Sequence, residues 1–433
     1  MASTPASPST PVLRHGKFSS YLPALVTCMV LCGIPGSMLM SCGSIFYTQI
    51  ADSLHVQTAQ VTLYMSCMFI AAAATAPLVG RIIGKADLRV ILSAAVVLEA
   101  VCFILFSQAQ EVWQFWIIGA FLGLCNTCLI NLSTPTIVNR WFKDKVGLLV
   151  GLCMAFTGVG GVIFIMIGQA VIDAAGWRTA WVVYAVIILV CCLPLTLFVI
   201  RNDPRDRGLL PYQDGSAAKN GPVTVAAATS VAPDVAMKSP AFWLICIFCG
   251  LINMTIPIAS FFPKYVTSLQ ADPAAVVLVT GAVLASIAMA GQAIGKIGLG
   301  FLSDMSVKKA IALACSTGAV GVLCCWLGAH TALLPIGGFV FGFFYAAALV
   351  LSPLICRAIF GSGKNYPAIY SRVFVSMAIF SALGQIVWPW LADNCGGFDT
   401  VFTVALGSIA LIAVLGLVAD SYEDKLPRES DEA

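Results

Sequence analysis

Gly80-Arg-Ile-Ile-Gly-Lys-Ala-Asp-Leu-Arg89 and Gly300-Phe-Leu-Ser-Asp-Met-Ser-Val-Lys-Lys309 are the two stretches whose reading decides the fold. Each is a short polar turn that closes one long apolar run and precedes the next. The first copy follows the second apolar run of the chain, and the second copy follows the eighth. One turn recurring at runs two and eight makes the chain a repeat of six plus six. Two six-helix units with a ligand site between them are a recurring plan for membrane carriers.

The runs themselves set the solvent. A helix needs about 20 apolar residues to cross the hydrocarbon core. Uncharged runs of that order cover 18–51, 53–80, 112–139, 146–172, 179–200, 239–263, 373–392 and 400–419. The runs 89–110 and 273–303 qualify with one interruption each, Glu99 and Lys296. The run 310–356 is long enough for two spans and breaks near Ala329-His330-Thr331. The expectation is an all-α membrane protein with twelve transmembrane helices in two pseudo-symmetric six-helix halves. Only 10% of the residues are charged, against about 25% in soluble domains, which excludes a soluble fold.

Charge placement gives the orientation. Nineteen of the 23 Lys and Arg fall in the tails and in every second loop. Examples are Arg81, Lys85 and Arg89, then Arg140, Lys143 and Lys145, then Lys308 and Lys309. Arg178 and Lys264 are the two in the other loops. Basic loops stay cytosolic, so both termini are expected in the cytosol, in a multi-pass protein of the cell membrane. The expected organisation is a disordered cytosolic tail over 1–20 and a first six-helix half over 21–200. A cytosolic linker over 201–238, a second half over 239–420 and a cytosolic tail over 421–433 follow. Residues 1–10 lack the basic start and short apolar core of a cleaved signal. A net charge of +3 gives no pointer to nucleic acid.

Several motifs carry no chemistry. Most of the 17 cysteines lie within apolar runs, where Cys acts as a small hydrophobe. Cys125-Asn-Thr-Cys128 has redox spacing but sits inside a run. His15, His55 and His330 are scattered, so no metal site and no cofactor are expected. Gly361-Ser-Gly-Lys364 lacks the flanking residues of a phosphate loop. With no catalytic cluster and no extramembrane domain, an enzyme is not expected.

Ionisable residues inside spans are costly and point to function by default. Lys296 lies eight residues before Asp304, about 12 Å along a helix. Arg372 lies seven residues after Asn365, about 10 Å along span eleven. The two cations reach similar depths on helices of opposite direction. Facing a cavity, they would clamp an anion, Arg as a fork and Lys as a point charge. The other reading is that their stems snorkel to the headgroups. Glu99 is the acid deep in a span and is a candidate for proton coupling, or for a structural pair. Phe341 and Tyr345 are one turn apart in span ten, and Tyr370 precedes Arg372; they would wall an anion pocket or simply pack. Asn126 and Asn131 in span four face the pathway or another helix. Gly147/Gly151 and Gly291/Gly295 have the spacing that lets helices approach closely.

These residues resemble a known family. Gly300, Leu302, Asp304, Lys308 and Lys309 resemble the cytosolic turn of the major facilitator superfamily. The first copy departs from it, with Gly84 where the Asp is expected and Asp87 where the Gly is. Asn139-Arg-Trp-Phe142, Gly147-Leu-Leu-Val-Gly-Leu, Gly176-Trp-Arg-Thr-Ala180, Asp203-Pro-Arg-Asp-Arg-Gly-Leu-Leu-Pro-Tyr212 and Ala241-Phe-Trp-Leu244 follow in order. That series resembles the oxalate/formate exchangers and the monocarboxylate porters. The resemblance implies a gate built from Asp304, Lys308, Lys309, Arg81 and Arg89, with loop anchoring to anionic lipid as the other reading of Arg81 and Arg89; Arg140 guards the cytosolic mouth or anchors its loop. It implies basic carboxylate ligands on spans eight and eleven. Lys296 matches the first by position; the second falls nearer Val373 than Arg372. Gln292 stands where the porters place an acid.

The function expected is secondary transport of a small organic anion, a mono- or dicarboxylate, by alternating access. The partner would be a counter-transported carboxylate or protons, in a monomer surrounded by lipid. The alternative is a carrier or efflux pump for neutral or amphipathic small molecules.

Overall fold

The computed structural model describes residues 16–56, 58–213, 229–270, 279–328, 331–420 and 429–430. Residues 1–15 of the expected N-tail, the middle of the linker, the break at Ala329-His330 and most of the C-tail lie outside the described residues; Phe18–Ser20 of that N-tail forms a short 3-10 helix.

Eleven helical segments are long and apolar enough to cross a membrane among the described residues. They are α1 (Leu22–Met40), α2 (Gln60–Lys85), α3 (Leu88–Gln108), α4 (Val112–Trp141), α5 (Val146–Val199), α6 (Pro240–Phe261), α7 (Val283–Met305), α8 (Val307–Leu327), α9 (Leu333–Phe360), α10 (Tyr366–Asn394) and α11 (Phe398–Ala419). The segment α5 takes in both the fifth and sixth apolar runs. It is broken at Gly176, whose φ of 82° and ψ of 164° are not helical. Only glycine adopts such a conformation at low cost, and it divides α5 into a first and a second arm. The seventh to twelfth runs are therefore α6 to α11. Short helices Ser44–Leu54 and Phe262–Gln270 continue α1 and α6. The only strands described are Thr229–Ser230 and Glu429–Ser430, paired antiparallel.

Local chemistry sets the helix ends. Asp87 caps the start of α3 by accepting from Arg89 N at 2.9 Å. Ser239 caps α6 ahead of Pro240, and Ser306 caps α8. A side-chain oxygen here satisfies a backbone N–H that the helix leaves unpaired. Inside the helices, proline changes the winding. Pro135 has no N–H to give the Asn131 carbonyl, and the residues before it, Thr127–Asn131, form a wide π-helical turn in α4. Cys32–Gly36 around Pro35 does the same in α1. Such turns recur at functional sites.

Glycines mark several close helix approaches. The first arm of α5 packs against α7, and α2 packs against α10. A Cβ on Gly151 would strike the Lys296 carbonyl, and one on Gly80 would strike Ser371. Small residues at these points let the backbones touch. The outward faces stay apolar: Met166, Phe198 and Leu327 are 69%, 74% and 76% exposed. A belt of exposed large hydrophobics fits lipid rather than water.

Candidate functional site

Lys296 is 1% exposed. Its Nζ donates to Thr157 Oγ1 on α5 at 2.8 Å and to Gln292 Oε1 at 3.1 Å. Gln292 is one turn earlier on α7, so the helix itself aligns it with the ammonium. The Tyr345 phenol at the end of the α9 helical segment Leu333–Tyr345 reaches the same Gln292. Cys32, in the wide turn of α1, faces Lys296 and contacts Thr134 Oγ1 of α4 at 3.5 Å. Five helices thus converge on one buried ammonium. Among the described residues no carboxylate lies within ion-pairing distance of it. Two of its three donors meet neutral oxygens. Such a group is a buried cation without a counter-charge among the described residues, an unfavourable arrangement.

The other expected site residues divide. Tyr345 is joined to Lys296 through Gln292. Phe341 is buried, its ring 5.8 Å from both Phe262 and Phe344, and its backbone sits against Gly321. Tyr370 is stacked on Tyr366 at 5.6 Å, and Tyr366 donates to the Pro353 carbonyl at 3.1 Å. Arg372 is half-buried on α10, and its Nη1 is buried with no hydrogen-bond partner among the described residues. No contact described here joins it to Lys296. Asn126 and Asn131 flank the wide turn of α4 and are joined by an Asn131 Nδ2 to Asn126 carbonyl bond of 3.4 Å. Glu99 is fully buried on α3, and neither carboxylate oxygen has a partner among the described residues.

At the basic-loop end α5 and α7 are tied together. Lys145, before α5, has a left-handed φ of 56° and gives that helix no side-chain cap. The cap comes from Asp304, at the end of α7. Its Oδ1 accepts from Gly147 N at 2.6 Å and its Oδ2 from Leu148 N at 2.8 Å. A carboxylate on a helix N-terminus is favourable both as acceptor and as charge. Arg357 Nη2 reaches the Lys143 carbonyl at 3.3 Å. These groups line a cavity of about 520 Å³. The first copy of the turn works differently. Gly84 sits beside Lys364 with no carboxylate to offer. Asp87 instead caps its own helix and pairs with Arg89 at 2.8 Å. Arg89, hydrogen-bonded beside it, holds the Asp87 carboxyl below the usual carboxylate range. Arg140 Nη2 donates to the Ile83 carbonyl at 3.1 Å. Arg81, Lys308 and Lys309 are exposed.

Sequence reasoning passed over Thr157, Cys32 and Thr134, and noted Gln292 only as the absence of an acid. The Gln292-to-Lys296 spacing was a usable signal, since i and i+4 share a helix face. The other three become visible only once the helices pack.

The comparisons agree with this architecture. Multidrug resistance protein MdtG of Salmonella typhimurium (strain LT2) is 24% identical over 358 residues, 81% of this chain and 83% of that protein. MdtG of Salmonella choleraesuis is 26% identical over 141 residues, and that match covers only 34% of its length. Among solved structures, the transporter FucP in the outward conformation superposes with a TM-score of 0.67 at 13% identity, covering 92% of this chain and 99% of that one. The Escherichia coli fucose:proton symporter FucP gives a TM-score of 0.65 at 15% identity. These are likenesses of fold. The family model described as Major Facilitator Superfamily matches residues 29–289, more than half of the chain, and with the helical bundle around Lys296 it makes this protein a multi-pass membrane transporter of that superfamily.

Proposed function

We propose that this transporter moves a small organic anion bearing a carboxylate, held at Lys296. The observation that carries the reading is an ammonium buried at the meeting of five helices with only neutral oxygens around it. The third N–H of Lys296 would meet the anion, with Tyr345 and Thr157 beside it. Arg372, whose Nη1 is buried and unpartnered, would supply a second positive group when α10 moves. Counting the two arms of α5 separately gives twelve spans in two six-helix halves. Both termini and the Asp304 cap would then lie on the cytosolic side of the cell membrane. Alternating access would open that end and close the other, in exchange for a second carboxylate or together with a proton.

A second reading has its own support. The relatives named MdtG are multidrug resistance proteins, which favours efflux of amphipathic compounds. The two readings differ at one residue. Purified protein is screened by thermal shift against mono- and dicarboxylates and against lipophilic drugs, with Lys296→Gln alongside. Selective ligands raise apparent stability by mass action. Stabilisation by a carboxylate that Lys296→Gln abolishes supports anion transport. Stabilisation by lipophilic compounds alone, unchanged in Lys296→Gln, supports efflux.

A further inference from the structure

Glu99 is unused by the anion site, yet it is the more demanding group. It sits on α3 with no exposed surface. Both oxygens lack a hydrogen-bond donor among the described residues. The titratable groups facing it are thiols: Cys102 on α3, Cys125 on α4 and Cys192 on the second arm of α5. α3 packs against α4, the wide turn of α4 and both parts of that second arm. Arg178, the charged residue of α5 that reaches α3, is engaged at the helix end by the Ser107 and Ala109 carbonyls. Among the described residues no cation therefore offsets the carboxylate. An ionised carboxylate is untenable in such a place, whereas the neutral acid is tolerated. A metal ion would need several oxygen ligands, and the surroundings are thiols.

We propose that Glu99 is a second ligand site of this transporter, for a proton, occupied in the conformation seen here. The proton would leave to water, breaking the carboxyl O–H bond, when α3, α4 and the second arm of α5 part. This rests on the transport reading above. One helix touches both sites. Cys125 of α4 faces Glu99, the wide turn Thr127–Asn131 follows, and Thr134 then contacts Cys32 beside Lys296. A change in that turn would be felt on both sides of it.

The full-length protein in detergent tests this without any substrate. Infrared spectra at neutral pH, wild type minus Glu99→Gln, are expected to show the carbonyl stretch of a protonated carboxylic acid. A difference spectrum without that band overturns the proposal. Release is read by N-ethylmaleimide alkylation of Cys125 and Cys192, quantified by mass spectrometry while pH is raised. Labelling in wild type is expected to rise about tenfold more than in Glu99→Gln, the equivalent of one pH unit of linkage. Equal rises in the two proteins overturn the coupling. Should Glu99→Gln fail to fold, the infrared titration of wild type decides alone. A band that persists at neutral pH and falls as pH rises supports the site. A band lost near pH ~4 with the exposed acids overturns it. None of these readouts involves anion binding, so failure here leaves Lys296 standing, and failure of the anion screen leaves Glu99 standing.

Discussion

Among the described residues Lys296 pairs its charge with dipoles only, and this sets its energetics. Replacing a buried ion by a neutral residue of similar size is often neutral or stabilising, whereas its solute loses a charge-assisted partner. Lys296→Gln is expected to fold and to melt no lower than wild type without ligand. Its affinity for a carboxylate that binds wild type is expected to fall by at least about tenfold, or 1.4 kcal/mol. Differential scanning fluorimetry with ligand titration reads both. Lys296 was legible in the sequence because a lone cation in an apolar run stands out. Thr157 was not, because a threonine in a span is unremarkable, and its bond to Lys296 joins residues 139 apart. Phe341 shows the converse. Its four-residue spacing from Tyr345 suggested a shared wall, but its ring packs on Phe262 and Phe344.

At the scale of elements, the two copies of the repeated turn have parted in role. Asp304 reaches across to cap α5, while Asp87 caps the helix it begins. A charge on a helix N-terminus is worth about 0.3–2 kcal/mol. Asp304→Asn is expected to shift the balance toward the form open at the basic-loop end by about two- to thirtyfold. Alkylation of buried Cys356 at that end should speed up accordingly; an unchanged rate would remove Asp304 from the gate. Asp87→Asn is expected to keep the cap, since Asn caps as well as Asp, to lose the ion pair with Arg89 at neutral pH, and to leave that rate alone. The sign with pH follows from Arg89 lowering the Asp87 carboxyl. The pairing is fully present above the ordinary Asp value and is lost as pH falls through the lowered one. Thermal melts of wild type and Asp87→Asn should therefore converge in acid. Asp304 was legible as part of a repeated polar turn. Its partner was not, since Gly147 lies 157 positions from Asp304.

For the whole molecule, the apolar runs carried most of the fold. A bilayer demands about 20 uncharged residues per crossing, and that demand is written plainly between the basic loops. The superfamily resemblance rested on the turn at Gly300–Lys309 and holds. The narrower likeness to carboxylate exchangers remains the basis of a proposal, since pockets are set by a few side chains that run lengths do not encode. Gly176 is a further case: the two runs around it were read as separate spans, and a single non-helical residue divides their two helical arms. The topology makes a direct prediction. In intact cells a membrane-impermeant thiol reagent should label Arg178→Cys above the wild-type background. It should not label Lys364→Cys until the membrane is opened. The reverse pattern would invert the orientation.

The central claim is that a buried, unpaired ammonium awaits a negatively charged solute. Calorimetric titration of the purified protein with oxalate, formate and lactate, wild type against Lys296→Gln, tests it most directly. The account predicts saturable binding of at least one of these anions to wild type and none to the variant. Equal binding by both proteins, or heat only from uncharged lipophilic compounds, would contradict it.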